Sequence, residues 1–211
     1  DSSYGLTGMA EGEFAVQDLT WEIVNKMNLG VELGFLNGMI DLQLDYFDER
    51  RKDIFMPRES VPMTAGFMKQ PWKNFGKVTN QGVEVSLNVN KQFGKDLFVS
   101  LMGTFTYAHN EITEKDEPSA VVGTNRAETG HPVGQLTGYI AEGLFTEDDF
   151  EDVSTGKLKE GIPTQSFVSK LRPGDIRYRD VNGDGKVDVF DKSPIGGTKD
   201  PEIVYGFGLN M

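Results

Sequence analysis

The stretch DVNGDGKVDVFD, Asp180 to Asp191, sets oxygen-bearing side chains at a spacing suited to one kind of chemistry, the ligation of a hard cation. Calcium takes six to eight oxygens at flexible geometry. A twelve-residue loop supplies them from positions 1, 3, 5, 7, 9 and 12, with glycine at 6 for the sharp turn. Counted from Asp180, those positions hold Asp180, Asn182, Asp184, the carbonyl of Lys186, Asp188 and Asp191, with Gly185 at the turn and Val187 as the apolar anchor. Aspartate at the last position reaches less far than glutamate, so weaker binding or an intervening water is expected. The same spacing admits a second reading, an Asp- and Gly-rich turn whose carboxylates accept backbone N–H groups without metal. The flanks PGDIRY and KSPIGG read as extended or turn sequence and not as helices. In either reading the loop is structural, pinning a longer segment.

Other chemistry has little material. The chain has no cysteine and two histidines, His109 and His131, which excludes thiolate sites and leaves little for zinc or a catalytic triad. His131 in GHPVG reads as a turn residue before Pro132, and EDDFED, Glu147 to Asp152, as a solvated loop. With 33 Asp and Glu, any glycosidase-like carboxylate pair would be an arbitrary choice. GKVTNQG lacks the order that cradles phosphate. A net charge of −12 argues against sequence-independent nucleic-acid binding, which depends on cationic side chains. Trp72, with Phe67 and Phe75, stands out as an apolar group expected in a loop, able to stack on a sugar or to pack locally. No enzyme signature remains.

The elements that must position these residues are extended. Trp21, Ile23, Met27, Leu29, Val31 and Leu33 alternate with polar residues, broken only by Asn25 on the apolar side. Ile40, Leu42, Leu44 and Tyr46 alternate with Asp41, Gln43 and Asp45, and Val83, Val85, Leu87 and Val89 with Glu84, Ser86 and Asn88. Leu97, Val99, Leu101, Phe105 and Tyr107 form a fourth series, and IVYGFGLNM a fifth. Period two demands extended backbone with one apolar and one wet face. Strands are therefore expected near 19–34, 39–52, 80–93, 96–112 and 202–211.

Asn37-Gly38 and FGKD read as tight turns, whereas residues 54–78 and 113–201 read as long loops, the second containing the 180–191 motif. Short turns on one side and long loops on the other are a signature of an outer-membrane barrel, and strands beyond the usual five or six residues point the same way. No apolar run is long enough for a membrane-spanning helix. The chain opens DSSYGLTG and ends within a strand-like segment, which reads as a portion of a longer polypeptide.

NFGKVTNQGVEVSLNVN, a tight turn and FVSLMGTFTYAHNEI together resemble the SusC/RagA-like TonB-dependent outer-membrane transporters of Bacteroidetes. The resemblance continues through TGHPVGQLTGYIAEGLFTEDDF and LRPGDIRYRDVNGDGKVDVFDKSPIGGTKDPEIVYGFGLNM, from about Leu19 to Met211. It implies an all-β fold, antiparallel long strands forming part of a transmembrane β-barrel with long extracellular loops, some five strands of a wall of about 22. It further implies location in the bacterial outer membrane, import of oligosaccharides or peptides with a SusD-like surface lipoprotein, energy from the TonB complex, and no enzymatic role. Apolar faces would meet outer-membrane lipid, and Glu32, Asp41, Asp45, Glu84 and Asn88 would face the lumen. The alternative is a secreted calcium-binding β-sandwich or dockerin-like module, which needs the 180–191 loop to bind calcium.

Overall fold

The computed structural model describes residues 15–66 and 69–211. Four long strands come first: β1 (Ile23–Phe35), β2 (Ile40–Pro57), β3 (Trp72–Phe93) and β4 (Leu97–Glu114). Short strands follow: β5 (Gln135–Gly138), β6 (Ala141–Leu144), β7 (Phe150–Asp152), β8 (Lys157–Leu158), β9 (Thr164–Gln165), β10 (Ile176–Tyr178), β11 (Lys186–Val187) and β12 (Ser193–Thr198). The chain then returns as β13 (Ile203–Asn210). Among the described residues there is no α-helix and no helix able to cross a membrane, which says nothing about crossing by strands. The long strands form one open antiparallel sheet in the order β1-β2-β3-β4-β13.

The first hairpin turns as its residues require. Asn37 and Gly38 both take positive φ, 57° and 83°, and Met39 N–H donates to Leu36 O at 3.3 Å. Those two φ values are the type I′ signature, whose twist matches that of the strands it joins.

Strands β2 and β3 run beyond their expected ends near 52 and 80. The reason is a bulge. Ladder pairing shifts between Arg51 and Ile54 and again between Ile54 and Phe55, with Asp53 at a φ of 59°. An inserted residue puts the alternation out of phase while pairing continues. The bulge carbonyl of Asp53 is not left bare: Asn74 Nδ2 donates to it at 2.8 Å and also to Thr20 O at 2.9 Å. Trp72 thus lies at the head of β3 and not in a loop, paired with Pro57 and with its ring 5.2 Å from that of Phe55. Phe75 lies under the Arg58 guanidinium at 5.6 Å, and Phe67 falls outside the described residues.

Gly82 in β3 is the one long-strand glycine with no alternative. A Cβ there would sit 2.1 Å from Tyr107 O and 2.6 Å from Phe47 Cζ. Beyond β4, Asp116 is buried and accepts from Arg58 Nε at 2.9 Å, Ser60 N at 3.1 Å and Ser60 Oγ at 2.8 Å. Burial pushes this carboxyl up, but the bonds from Arg58 and Ser60 outweigh it and hold it below the usual carboxylate range. Glu117, equally buried, accepts from Glu128 N and Thr129 Oγ1.

The chain divides into two compact units, one holding the long strands and the other comprising residues 120–127 and 134–199. The second is no unstructured loop. Phe145, Phe150 and Leu171 form its buried centre, with Leu158, Ile162 and Val168 packed around them and the two rings 5.8 Å apart. Asp149 closes the turn entering β7, its Oδ2 accepting from Thr146 N at 2.7 Å and Thr146 Oγ1 at 2.9 Å. These bonds hold its carboxyl low. The ends of the unit meet where β5 pairs with β12 and Lys199 N–H donates to Gly134 O at 3.0 Å.

Candidate functional site

Directly paired residues of an antiparallel ladder project to the same face. One register row therefore reads Val31, Leu44, Val85, Phe105 and Tyr205 across all five long strands. The rows on either side read Leu29, Tyr46, Val83, Tyr107, Ile203 and Leu33, Leu42, Leu87, Gly103, Phe207. Phe35, Ile40, Val89, Leu101 and Leu209 follow toward the tight turns. Many of these side chains are exposed, Leu29 and Tyr205 among them, so the apolar face is not a core. From Val83 to Phe93 it extends about 34 Å along the strand at ~3.4 Å per residue, with Lys91 its one charged member, the ammonium lying 5.5 Å over the Phe93 ring near the tight turn. At a tilt near 45° that projects to about 25 Å, the height of the apolar band of an outer-membrane barrel.

The band stops sharply on the side away from the tight turns. Past the row of Tyr46 and Tyr107, the same face carries Met27, Asp48, Gln81 and His109, then Asn25, Arg50, Thr79 and Glu111. Asn25, the exception to alternation in β1, belongs to this polar margin and not to the apolar band. His109 Nδ1 lies 2.7 Å from Glu202 Oε1 within it.

The reverse face is polar. Its rows read Glu32, Gln43, Ser86, Thr104; Gly30, Asp45, Glu84, Thr106; and Gly34, Asp41, Asn88, Met102. The structure thus brings Glu32, Asp41, Asp45, Glu84 and Asn88 onto one face, as expected from the alternation. A depression of about 410 Å³ is bordered by Glu32, Asp41, Gln43, Ser86 and Asn88. Gly30 makes room for Asp45, whose Oδ1 would lie 2.5 Å from an added Cβ, and Gln43 Nε2 donates to Asp45 Oδ2 at 2.9 Å. Such a surface offers hydroxyl, amide and carboxylate partners to a hydrated solute.

The 180–191 loop keeps its acidic groups busy. Asp180 accepts from Gly183 N and Gly185 N through its two oxygens, Asn182 Oδ1 from Asp184 N, and Asp184 Oδ1 from Lys186 N. Asp188 Oδ1 accepts from Phe190 N, while its Oδ2 meets Lys186 Nζ at 3.0 Å. The Phe190 amide and then Lys186 hold the Asp188 carboxyl low, and Asp188 in turn raises Lys186. Asp191 is wholly buried: Oδ1 takes Val181 N and Asn182 N, and Oδ2 takes Asp188 N at 2.7 Å. Val187 is fully buried as well, and β11 pairs with β9 through Val187 and Gln165. Among the described residues, no three Asp, Glu or His side chains gather into a group that could hold a metal ion. The calcium expectation therefore rests on the spacing alone.

His131 sits in a turn, its N–H donating to Glu128 O, and EDDFED is a one-turn 3-10 helix running into β7. Sequence reading passed over the Asp116 anchor, which looks like part of a charge run in TEKDEP, and the aromatic group of Tyr139, Phe167 and Tyr178. The latter residues are far apart in the chain and share no period, so only tertiary structure assembles them.

Comparison with known proteins agrees with the expected resemblance. The chain is 24% identical to TonB-dependent receptor P3 of Formosa agariphila, over 98% of this chain and 20% of that protein. It is 29% identical to TonB-dependent receptor SusC of Bacteroides thetaiotaomicron, over 83% of this chain and 17% of that one. It spans about a fifth of the length of these curated relatives. Among solved structures, the RagAB peptide importer in its closed-closed state superposes with a TM-score of 0.64 at 21% identity, over 99% of this chain and 21% of that one. That likeness shows the shared fold. The family model for the TonB dependent receptor-like β-barrel matches residues 2–194, running through the sheet and the loop unit alike, and the chain belongs to that family.

Proposed function

We propose that this chain is part of the wall and outer loops of an outer-membrane importer, taking up oligosaccharides or peptides with a SusD-like surface lipoprotein and drawing energy from TonB. The observation that carries this reading is the exposed apolar band, about 25 Å high at barrel tilt, backed by a polar face on the same strands. A soluble protein rarely leaves so large an apolar surface in water. In this reading lipid covers the band, and Glu32, Asp41, Asp45, Glu84 and Asn88 line the solute path. The family membership supports the assignment, and RagAB, whose fold the chain shares, is a peptide importer. The role is transport and not catalysis. The 180–191 loop serves as a structural staple, with calcium an addition to be tested.

The test uses the full-length polypeptide in its native outer membrane. Uptake of a labelled oligosaccharide or peptide should require an intact TonB system, and a surface lipoprotein of the SusD type should copurify in mild detergent. Fractionation of the polypeptide with the soluble periplasm, with uptake indifferent to TonB, would rule the reading out.

A further inference from the structure

The loop unit contains a cleft of about 380 Å³, lined among others by Gln165, Phe167, Asp175, Ile176 and Tyr178. Its walls combine two chemistries. Phe167, 46% exposed, stacks on Tyr139 at 4.7 Å and meets Tyr178 edge-on at 5.8 Å. The ring is therefore braced from behind while remaining open in front. Beside it Gln165 is only 4% exposed, its Nε2 donating to Ile176 O at 3.0 Å while its Oε1 is buried without a hydrogen-bond partner. Native proteins keep such orphaned acceptors few, because an amide oxygen removed from water and left bare is costly. Asp175 Oδ2 accepts from Arg172 N at 2.8 Å, and a carboxylate has acceptor capacity beyond one bond.

We propose that this cleft is a subsite for one sugar ring of an oligosaccharide, an inference that rests on the transport reading above. A pyranose has an apolar C–H face, which stacks on the open side of Phe167, and hydroxyl donors at its rim. Those donors share the Asp175 carboxylate, and a small shift of the Gln165 side chain on binding gives its Oε1 the bond it lacks. Mostly apolar walls with a few fixed polar groups are the usual make-up of a small-ligand site. A peptide is less well served. Binding by strand addition needs free backbone groups along an edge, and the Ile176 carbonyl is already taken by Gln165.

The test uses the full-length polypeptide in detergent, with a linear neutral hexose oligosaccharide as the probe and an unstructured peptide of similar mass beside it. Saturation-transfer NMR with irradiation of the aromatic protons reports stacking directly, and titration gives affinity. Phe167→Ala removes the ring, and Phe167→Leu keeps much of the bulk in case the first variant unsettles the loop. We expect transfer to the sugar C–H protons and about tenfold weaker oligosaccharide binding in both variants, the scale of one good aromatic contact, at unchanged thermal midpoint. Oligosaccharide affinity unchanged in Phe167→Leu overturns the subsite, as does transfer to the peptide in place of the sugar. If cells still import the oligosaccharide in that case, the subsite falls and the transport reading stands. Absence of all TonB-dependent uptake removes the transport reading instead, and the transfer experiment still decides the cleft.

Discussion

The five-stranded sheet and the 134–199 unit are built on opposite principles. In the sheet, ladder hydrogen bonds set the order and the apolar side chains face away from any protein core, leaving residues such as Leu29 and Tyr205 uncovered. In the loop unit, strands are two to six residues long and carry little of the order. There Phe145, Phe150 and Leu171 turn inward, and carboxylates such as Asp149, Asp180 and Asp191 hold the turns by accepting backbone N–H groups. The difference is what the proposed transport role requires, with the sheet meeting lipid and the loop unit water. In a bilayer every backbone polar group must pair within the protein while the side chains are free to face lipid. In water the side chains must be hidden, and short polar residues can do the pairing.

That contrast can be broken at Val85, in the middle of the apolar band. Val85→Arg should destabilise membrane insertion of the full-length protein by about 2–4 kcal/mol at the bilayer midplane, read as lowered folding stability in lipid vesicles. Wild-type stability and surface level would mean that this face does not meet lipid. At a similar scale but in the other region, Phe145→Ala should cost the loop unit about 3–5 kcal/mol. Limited proteolysis should then cut within residues 134–199 while the sheet stays resistant. Cleavage or melting of both regions together would show that the two are not separately stabilised.

A smaller effect is expected at Asp191, where Asp191→Ala leaves the amides of Val181, Asn182 and Asp188 without their acceptor. Of the three residues only Asp188 is buried, so the net cost is about 1–3 kcal/mol, and hydrogen exchange should show all three amides losing protection. The same experiment sharpens the calcium question through Asp184→Ala. A calcium site predicts that this variant loses protection only when calcium is present. A turn closed by its own N–H groups, which the hydrogen bonds favour, predicts the same loss with or without it.

The smallest effect is tied to pH. Asp116 has its native carboxyl held low, so its anchoring of Arg58 and Ser60 is present in full above the unfolded carboxylate value, about 4. It is lost as pH falls through the lowered native value. The midpoint difference between the parent and Asp116→Asn should therefore be level at neutral pH and shrink toward zero in acid. A difference that grows on acidification would contradict the sign.

How much was legible in advance depends on which principle governs each region. Val83 to Val89 alternates without a fault, so its strand and its two faces follow from the residues directly, and the continuous rows of the sheet follow once the hairpins are in register. The ends of β2 and β3 do not follow, because the bulge at Asp53 keeps the pairing while losing the phase. Trp72 was consequently expected in a loop. In the loop unit almost nothing is periodic. Phe145, Phe150 and Leu171 meet through turns whose geometry depends on single hydrogen bonds, and no spacing rule foretells them. The 180–191 motif was visible as a pattern of oxygens, but not that Asp191 would turn both of its own toward backbone donors.

One small feature has a long reach. The excursion from Gly134 to Lys199 is clasped at its base, where Lys199 N–H donates to Gly134 O, Gln135 pairs with Thr198 and Gln135 Nε2 donates to Gly197 O. The entropic cost of closing such a loop grows only logarithmically with its length. A change of length between those two residues therefore adds little entropic cost, provided that Asn125 keeps its bonds to Phe190 O and Lys192 O. Under the proposed transport role, the sheet and this excursion could change at separate rates over evolutionary time, and new solute preferences could arise by exchange of a cassette without redesign of the barrel.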